Sequence, residues 1–224
     1  MVALAALAVS APGPASTLLA ADAPPVSNYG DSQRWYEQAA RGGNAEAQFL
    51  LGVRLDEGVG GRADPAAALG WFRAAAKQGH VKAQVRLAQM LYRGRGAPAD
   101  PAEAASWFHV AAETGDTGAQ YTLGLMLERG RGVVRDTAQA AQWYTRAAQG
   151  GDNRARMNLG LLYARGDGVA RDPVRALAWL TLAERRGAGD LGAVTDGLKA
   201  AMTPEQAAAA AALADRLGRE SPPR

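Results

Sequence analysis

The sequence predicts an all-α solenoid built from helix-turn-helix repeats of about 36 residues. The first observation is that all five tryptophans recur at intervals of 36 residues, at Trp35, Trp71, Trp107, Trp143 and Trp179. The second is that glycines and aspartates keep the same interval, as in Gly43, Gly79, Gly115, Gly151 and Gly187, and in Asp64, Asp100, Asp136 and Asp172. The third is that a Gly-x-Gly segment separates two apolar stripes of helical spacing in each period. A fixed period of this length is typical of stacked helical hairpins.

Residues 44–79 show how the first half of one period forms a helix. Asn44 is a good N-cap, because its side-chain oxygen can accept a hydrogen bond from a free backbone N–H of the first turn. Ala47, Leu51 and Leu55 follow at a spacing of four and share one face. Gly58 ends the helix, since glycine adopts the left-handed conformation at little cost.

The second half of the period predicts a second helix. Asp64 is its N-cap, and Pro65 occupies the first helical position, where a missing N–H has no consequence. One hairpin alone exposes its apolar stripes, so neighbouring hairpins must stack to bury them. The stripe of the second helix is Ala68, Trp71, Phe72, Ala75 and Ala76.

The ends of the chain depart from the repeat. We expect residues 28–43 to form a leading half-repeat helix, residues 44–187 four repeats, residues 188–218 capping helices, and residues 219–224 a disordered tail. Thr203 and Gln206 form a capping-box pattern around Pro204. Residues 1–27 read as a signal peptide or a disordered leader, since residues 2–11 are an apolar run too short to span a bilayer. A signal peptide implies a periplasmic or secreted protein without a stable membrane span in its mature form; the alternative is a cytoplasmic one.

The repeat resembles the Sel-one-like repeat, a relative of the tetratricopeptide repeat. The motif runs from Ala47-Gln48 through Leu51-Gly52, Gly58-x-Gly60, Asp64, Ala68, Trp71-Phe72 and Ala75-Ala76 to Gly79. The resemblance covers residues 29–187 and includes the C-terminal cap Met202-Thr203-Pro204-Glu205-Gln206. It implies a right-handed α/α superhelix whose first helices line a concave face, and a role in protein–protein interaction. The cysteine-rich branch of the family does not apply, because the chain has no cysteine.

Composition and spacing exclude several other functions. Without cysteine there is no disulfide framework, thiol nucleophile or cysteine-based metal site. The two histidines, His80 and His109, have no neighbouring pattern of metal ligands or of an activated nucleophile. The glycine-rich loops follow helices rather than strands, so they are turns and not phosphate-binding loops. We therefore expect no enzyme, no cofactor and no metal. A net charge of +3, spread around the chain, does not favour nucleic acid.

Candidate binding residues lie on the first helices, in the stripe opposite the core, where the residue type changes from one repeat to the next. Arg93, Arg129 and Arg165 occupy equivalent positions and predict a ladder of guanidinium groups, which suit carboxylates. An ordinary solvated face in an arginine-rich chain is the alternative interpretation. The full candidate set is Lys82, Arg86, Gln89, Arg93, Thr122, Leu125, Arg129, Arg154, Asn158, Leu161 and Arg165.

The predicted function is a monomeric, non-catalytic scaffold. Its ligand would be an acidic or extended peptide segment, or an anionic envelope polymer, bound on the concave face. The alternatives are an envelope-associated hydrolase or its regulatory cofactor, with a site formed only in the folded stack, and a cytoplasmic assembly adaptor.

Overall fold

The computed structural model describes residues 29–220, with side chains from residue 34 onward. These residues form eleven α-helices and no strand, which confirms the all-α solenoid. Each helix from α1 to α9 packs against the next helix in the chain. The helices are α1 (Tyr29–Arg41), α2 (Ala45–Glu57), α3 (Pro65–Lys77), α4 (Val81–Arg93), α5 (Pro101–Glu113), α6 (Thr117–Arg129), α7 (Thr137–Gln149), α8 (Asn153–Arg165), α9 (Pro173–Arg185), α10 (Gly192–Ala200) and α11 (Pro204–Glu220).

The repeat begins and ends its helices at the residues that the capping rules indicate. The Asn44 side chain accepts a hydrogen bond from the Ala47 backbone N–H at 2.9 Å, and Asp64 does the same for Ala67 at 2.9 Å. Gly58 follows α2 with φ of 72°, in the left-handed region that favours glycine. These local signals are why each helix from α2 to α9 has the same length of 13 residues.

The second glycine of each Gly-x-Gly loop brings successive repeats into contact. A Cβ atom on Gly96 would lie 2.3 Å from the Pro65 carbonyl oxygen, and one on Gly132 would lie 2.2 Å from that of Pro101. Pro65 and Pro101 begin the second helix of the preceding repeat in each case. The loop of one repeat is therefore seated directly on the repeat before it, which a side chain at this position would prevent.

The core is centred one residue after the tryptophans rather than on them. Phe72, Phe108 and Tyr144 are at most 2% exposed, and each packs against the first helix of its own hairpin. A Cβ atom on Gly52 would lie 2.8 Å from the Phe72 ring, so the glycine allows this close approach, as expected. The tryptophans are buried or half-buried at the edge of the core: Trp143 and Trp179 are buried, and Trp35, Trp71 and Trp107 are half-buried.

The C-terminal helices close the stack against the last repeat. Thr203 and Gln206 exchange two backbone-to-side-chain hydrogen bonds, of 3.0 and 3.3 Å, as a capping box does. Helix α11 packs on α9 and continues to Glu220, two residues beyond Gly218, where the sequence predicts its end. Arg186 donates to the Gly218 carbonyl oxygen at 3.1 Å, which satisfies that carbonyl within the longer helix. The predicted leader (1–27) and residues 221–224 of the predicted tail lie outside the described residues.

Candidate interaction surface

The eleven candidate residues all lie at the surface of the first helices α4, α6 and α8, and none is buried. We call this surface, together with the equivalent row Glu46, Leu50, Val53 and Glu57 of α2, the first-helix face. Its charged members Lys82, Arg86, Arg93, Arg129, Arg154 and Arg165 are exposed, and its uncharged members Gln89, Thr122, Leu125, Asn158 and Leu161 are half-buried.

Arg93, Arg129 and Arg165 are the last residues of α4, α6 and α8, so they occupy the same position in three successive repeats. A cation is favoured there because the C-terminal end of a helix carries partial negative charge. Among the described residues, no carboxylate forms an ion pair with these three guanidinium groups. Each group can therefore form two hydrogen bonds with an external carboxylate without breaking an internal pair.

Arg154 is the one arginine of the face that is held in place within the protein. It forms an ion pair with Asp152 at 2.7 Å, and its guanidinium lies 4.2 Å from the centre of the Tyr121 ring. The hydrogen bond to Asp152 raises the pKa of Arg154 above its ordinary value. Because Asp152 also caps α8, it orients Arg154 while accepting backbone hydrogen bonds.

Two uncharged candidates make structural hydrogen bonds. Thr122 Oγ1 donates to the Gly118 carbonyl oxygen at 2.8 Å. Asn158 Nδ2 donates to the hydroxyl of Tyr144 at 3.1 Å, and that hydroxyl donates to Glu128 Oε2 at 2.7 Å. Burial, followed by the hydrogen bond to Glu128, raises the pKa of Tyr144 well above its ordinary value. The Tyr144–Glu128–Asn158 network joins α6, α7 and α8 and leaves only part of Asn158 for a ligand.

Phe49 and His80 extend the first-helix face at its N-terminal end, beside Glu46. The His80 ring stacks on Phe49 with ring centres 4.6 Å apart, and His80 Nε2 lies 2.9 Å from Glu46 Oε2. Through Nδ1, His80 accepts from the Ala83 backbone N–H at 3.1 Å and so caps α4 as Asn44 caps α2. Glu46 is thus bound internally, and the first repeat presents an apolar and aromatic surface beside the arginines. Phe49 and Tyr121 occupy the same position of the repeat, two periods apart. This recurring aromatic residue is the sequence signal that could have pointed to Phe49 and Tyr121 as part of the surface.

Residues 29–220 contain neither a cluster of metal ligands nor a helix able to span a membrane. No group of three or more His, Asp or Glu side chains is placed to hold a metal ion there. No helix there has the length and apolar character needed to cross a bilayer.

Comparison with known proteins identifies the repeat. A sequence profile of the Sel1 repeat matches residues 22–44, 45–80, 81–116, 117–152 and 153–187. The chain belongs to the Sel1 repeat family. The partial match over residues 22–44 contains α1, and the other four Sel1 matches each contain one complete hairpin. Sel1 repeat proteins are generally protein-interaction scaffolds.

Two solved structures of Sel1 type are similar over most of the chain. A Sel1 repeat protein from Oxalobacter formigenes is 36% identical over 70% of this chain and 62% of its own, with a TM-score of 0.62. A protective antigen present in uropathogenic Escherichia coli strains, which displays an SLR fold, is 29% identical over 86% of this chain and 49% of its own, with a TM-score of 0.54. This chain thus spans less than two thirds of the length of either protein. No curated protein matches the chain.

Proposed function

We propose that this Sel1 repeat protein is a non-catalytic scaffold that holds an extended acidic segment of a partner protein on its first-helix face. The observation that carries the proposal is the ladder of Arg93, Arg129 and Arg165, which repeats an exposed, unpaired guanidinium three times in register. Leu125 and Leu161 are half-buried and lie one helical turn before Arg129 and Arg165, so they offer apolar contacts to the same ligand.

The balance of charge on the first-helix face supports an anionic ligand. Its rows hold six lysines and arginines against the two glutamates Glu46 and Glu57. One of these glutamates, Glu46, already lies against His80. The field of such a face attracts negatively charged segments and weakens as salt is added.

The dimensions of the repeat suggest how the acidic groups of the ligand are spaced. Neighbouring first helices contact each other through side chains, as Arg154 and Tyr121 do, so their axes lie about one helix diameter apart, roughly 10–12 Å. An extended chain advances about 3.3 Å per residue. An acidic residue at about every third position would then meet one arginine of the ladder per repeat.

The experiment compares peptide binding by the wild-type protein and two charge-matched variants. Fluorescent extended peptides with Glu at every third position, and their Lys counterparts, are titrated by anisotropy. Arg93→Glu/Arg129→Glu alters the ladder, whereas Arg62→Glu/Arg219→Glu makes the same change of charge at exposed positions outside the first-helix face. We expect the wild type and the control to bind the acidic peptide alike and the ladder variant to bind at least about tenfold more weakly. Equal binding by both variants would show that the ligand is not held by this face.

We further propose that the protein acts outside the cytoplasm, in the periplasm or after secretion. The support is the apolar run of residues 2–11, which has the length of the hydrophobic segment of a signal peptide. The test is N-terminal sequencing of the protein recovered from separated cell fractions. A cleaved N-terminus in the periplasmic or secreted fraction supports export, and an intact N-terminus in the cytoplasm contradicts it.

A further inference from the structure

A cleft of about 460 Å³ lies between the second helices α5 and α7, and it shares no residue with the first-helix face. Its floor comes from the buried residues Ala105 of α5 and Leu123 and Leu127 of α6, and the α6–α7 loop closes one side. Its lining residues are Ala102, Ala105, Ser106, His109, Leu123, Leu127, Gly132, Val133, Gln139 and Trp143.

The floor of the cleft is open because each of the two neighbouring interfaces has one larger side chain that the α5–α7 interface lacks. Between α3 and α5, one period earlier, Leu69 occupies the position of Ala105. Leu69 is 6% exposed and packs in the core there. Between α7 and α9, one period later, Tyr163 occupies the position of Leu127. The α5–α7 interface has the smaller residue at both positions.

The mouth of the cleft lacks the ion pair that spans the α3–α5 interface, one period earlier. Arg73 Nη2 lies 2.9 Å from Glu103 Oε1 and so connects α3 to α5. One period later the same two positions are His109 and Gln139, which line the cleft instead of closing it. The α7–α9 interface likewise lacks the leucine and the ion pair, with Ala141 and Thr145 at those positions, but there the larger Tyr163 accepts a hydrogen bond from Arg175 at 3.4 Å.

The lining combines an aromatic wall with a polar mouth. Trp143 is 6% exposed, and its ring meets that of His109 edge-on, at 5.7 Å between ring centres and 76° between planes. The guanidinium of Arg146 lies 4.6 Å from the centre of the same ring. Ser106, His109 and Gln139 supply donors and acceptors to the opening, whereas the other side walls and the floor are aliphatic.

We propose that this cleft binds an aromatic ring carrying one hydrogen-bonding substituent, of the phenol or indole type. The ring would lie among the aliphatic side chains and against Trp143, because aromatic rings pair favourably edge-to-face or offset. Its polar substituent would meet His109 and Gln139 at the mouth. The volume lies within the range of small-molecule sites, which combine apolar walls with a few placed polar groups.

The test uses ligand-observed NMR on the full chain with p-cresol, indole and, as an aliphatic comparison, cyclohexanol. A second arm uses the tripeptides Gly-Tyr-Gly and Gly-Leu-Gly, so that a free small molecule is distinguished from an aromatic side chain of a partner. Ala105→Leu copies Leu69 and fills the floor. His109→Arg/Gln139→Glu copies the Arg73–Glu103 ion pair and closes the mouth. The ladder variant Arg93→Glu/Arg129→Glu serves as the control, since it leaves the cleft intact.

We expect the wild type and the ladder variant to bind the aromatic probes alike, and both cleft variants to bind them at least tenfold more weakly. Cyclohexanol and the leucine peptide should bind weakly in every case. If Ala105→Leu does not fold, the mouth variant still decides the question, because its substitutions are at the surface. Absence of aromatic binding by the wild type, or binding that neither cleft variant changes, would overturn the proposal and leave the cleft as a packing gap.

Discussion

At the scale of single residues, two glycines with the same left-handed backbone differ in what surrounds them. Gly132 has φ of 76°, and a Cβ atom there would lie 2.2 Å from the Pro101 carbonyl oxygen. Gly115 has φ of 97°, and a Cβ atom there would meet nothing within 4 Å. Glycine is therefore required at position 132 both for the positive φ and for the close contact between repeats, whereas at position 115 it is required for the positive φ alone.

We predict that Gly132→Ala lowers the free energy of unfolding more than Gly115→Ala does. Gly115→Ala should cost about 1–2 kcal/mol, the usual cost of a left-handed conformation for a residue with a Cβ atom. Gly132→Ala should cost roughly 2 kcal/mol more, because the loop must move away from Pro101 to relieve the overlap. Urea unfolding followed by circular dichroism measures both. Equal costs would mean that the loop contact does not stabilise the stack.

Tyr144 makes the stability of the protein depend on alkaline pH. Its pKa in the folded protein is raised by burial and by the hydrogen bond to Glu128, whereas in the unfolded chain it is close to the ordinary value of about 10. The folded state therefore keeps the phenol proton that the unfolded state loses, so the contribution of Tyr144 is complete below pH 10 and declines as the pH rises above it.

We predict that the wild type loses free energy of unfolding above pH 10 more steeply than Tyr144→Phe does. At pH 7 the variant should be less stable by about 1.5–3 kcal/mol, since it loses a hydrogen bond to a carboxylate. Urea unfolding at a series of pH values from 8 to 11 gives the comparison. Tyr92→Phe, which removes a half-buried phenol in α4, away from this network, is the control. Parallel curves for wild type and Tyr144→Phe would contradict the prediction.

At the scale of helices, one row of long polar side chains ties the end of each second helix to the next first helix. Gln48, Gln84 and Gln120 each donate through Nε2 to a carbonyl oxygen eight residues earlier, at 3.1, 3.2 and 3.0 Å. In the last repeat Arg156 takes this place, 1% exposed, and donates through Nε to the Ala148 carbonyl at 3.2 Å. These carbonyls lie in the last turn of a helix, and each also accepts the backbone N–H of the glycine three residues later, so the side chain supplies a second hydrogen bond.

We predict that Arg156→Gln is tolerated, whereas Arg156→Met is destabilising. Glutamine restores the residue of the other repeats and can keep the bond to Ala148, so the free energy of unfolding should change by less than about 1 kcal/mol. Methionine has no donor and loses this hydrogen bond from a charged side chain, at a cost of about 1.5–3 kcal/mol, although the Ala148 carbonyl keeps the Gly151 N–H. Thermal unfolding of both variants measures the difference, with Gln120→Met as the parallel change in the preceding repeat. A large loss in Arg156→Gln would mean that the guanidinium itself is required.

The helices were predictable because their ends depend on residues close together in the chain. Gly58 and the pair Asp64–Pro65 act within one turn of their own position, and the structure uses them as expected. Gly218 failed as a stop, because the donor that satisfies its carbonyl, Arg186, lies in another element. The rule for helix ends is local, and a distant partner can override it.

The cleft between α5 and α7 was less accessible from sequence, because it depends on pairs of side chains thirty or more residues apart. The ion pair Arg73–Glu103 spans that distance, and its absence one period later is part of what opens the cleft. The signal was present in the register, where Leu69 is replaced by Ala105. The sequence analysis treated the second helices as uniform framework and compared only the first helices. The sequence analysis therefore did not predict which side chains of neighbouring second helices contact each other.

At the scale of the whole molecule, each repeat contacts mainly its neighbours, so stability should behave as a sum over repeats and interfaces. Helices α3 and α5 each pack on the following first helix through the same positions, for example Leu87 and Leu123. The loop glycines Gly96 and Gly132 likewise sit on the equivalent prolines Pro65 and Pro101. If one full period were removed, the loop containing Gly132 would contact Pro65 in the way that the loop containing Gly96 does now.

We therefore predict that deletion of residues 81–116, one matched Sel1 repeat, leaves a folded helical protein. Its helical signal per residue should match that of the parent, and its midpoint of urea unfolding should fall, because one repeat and one interface are lost. Deletion of residues 87–120 is the control: it joins α4 to α6 two residues out of register, turns the core residues of the second half of the fused helix away from the core, and should abolish cooperative unfolding. The full-period deletion also removes α5 and with it the cleft, so aromatic probes should no longer bind to a protein that still folds. A full-period deletion that unfolds as poorly as the control would show that the repeats depend on contacts beyond their neighbours.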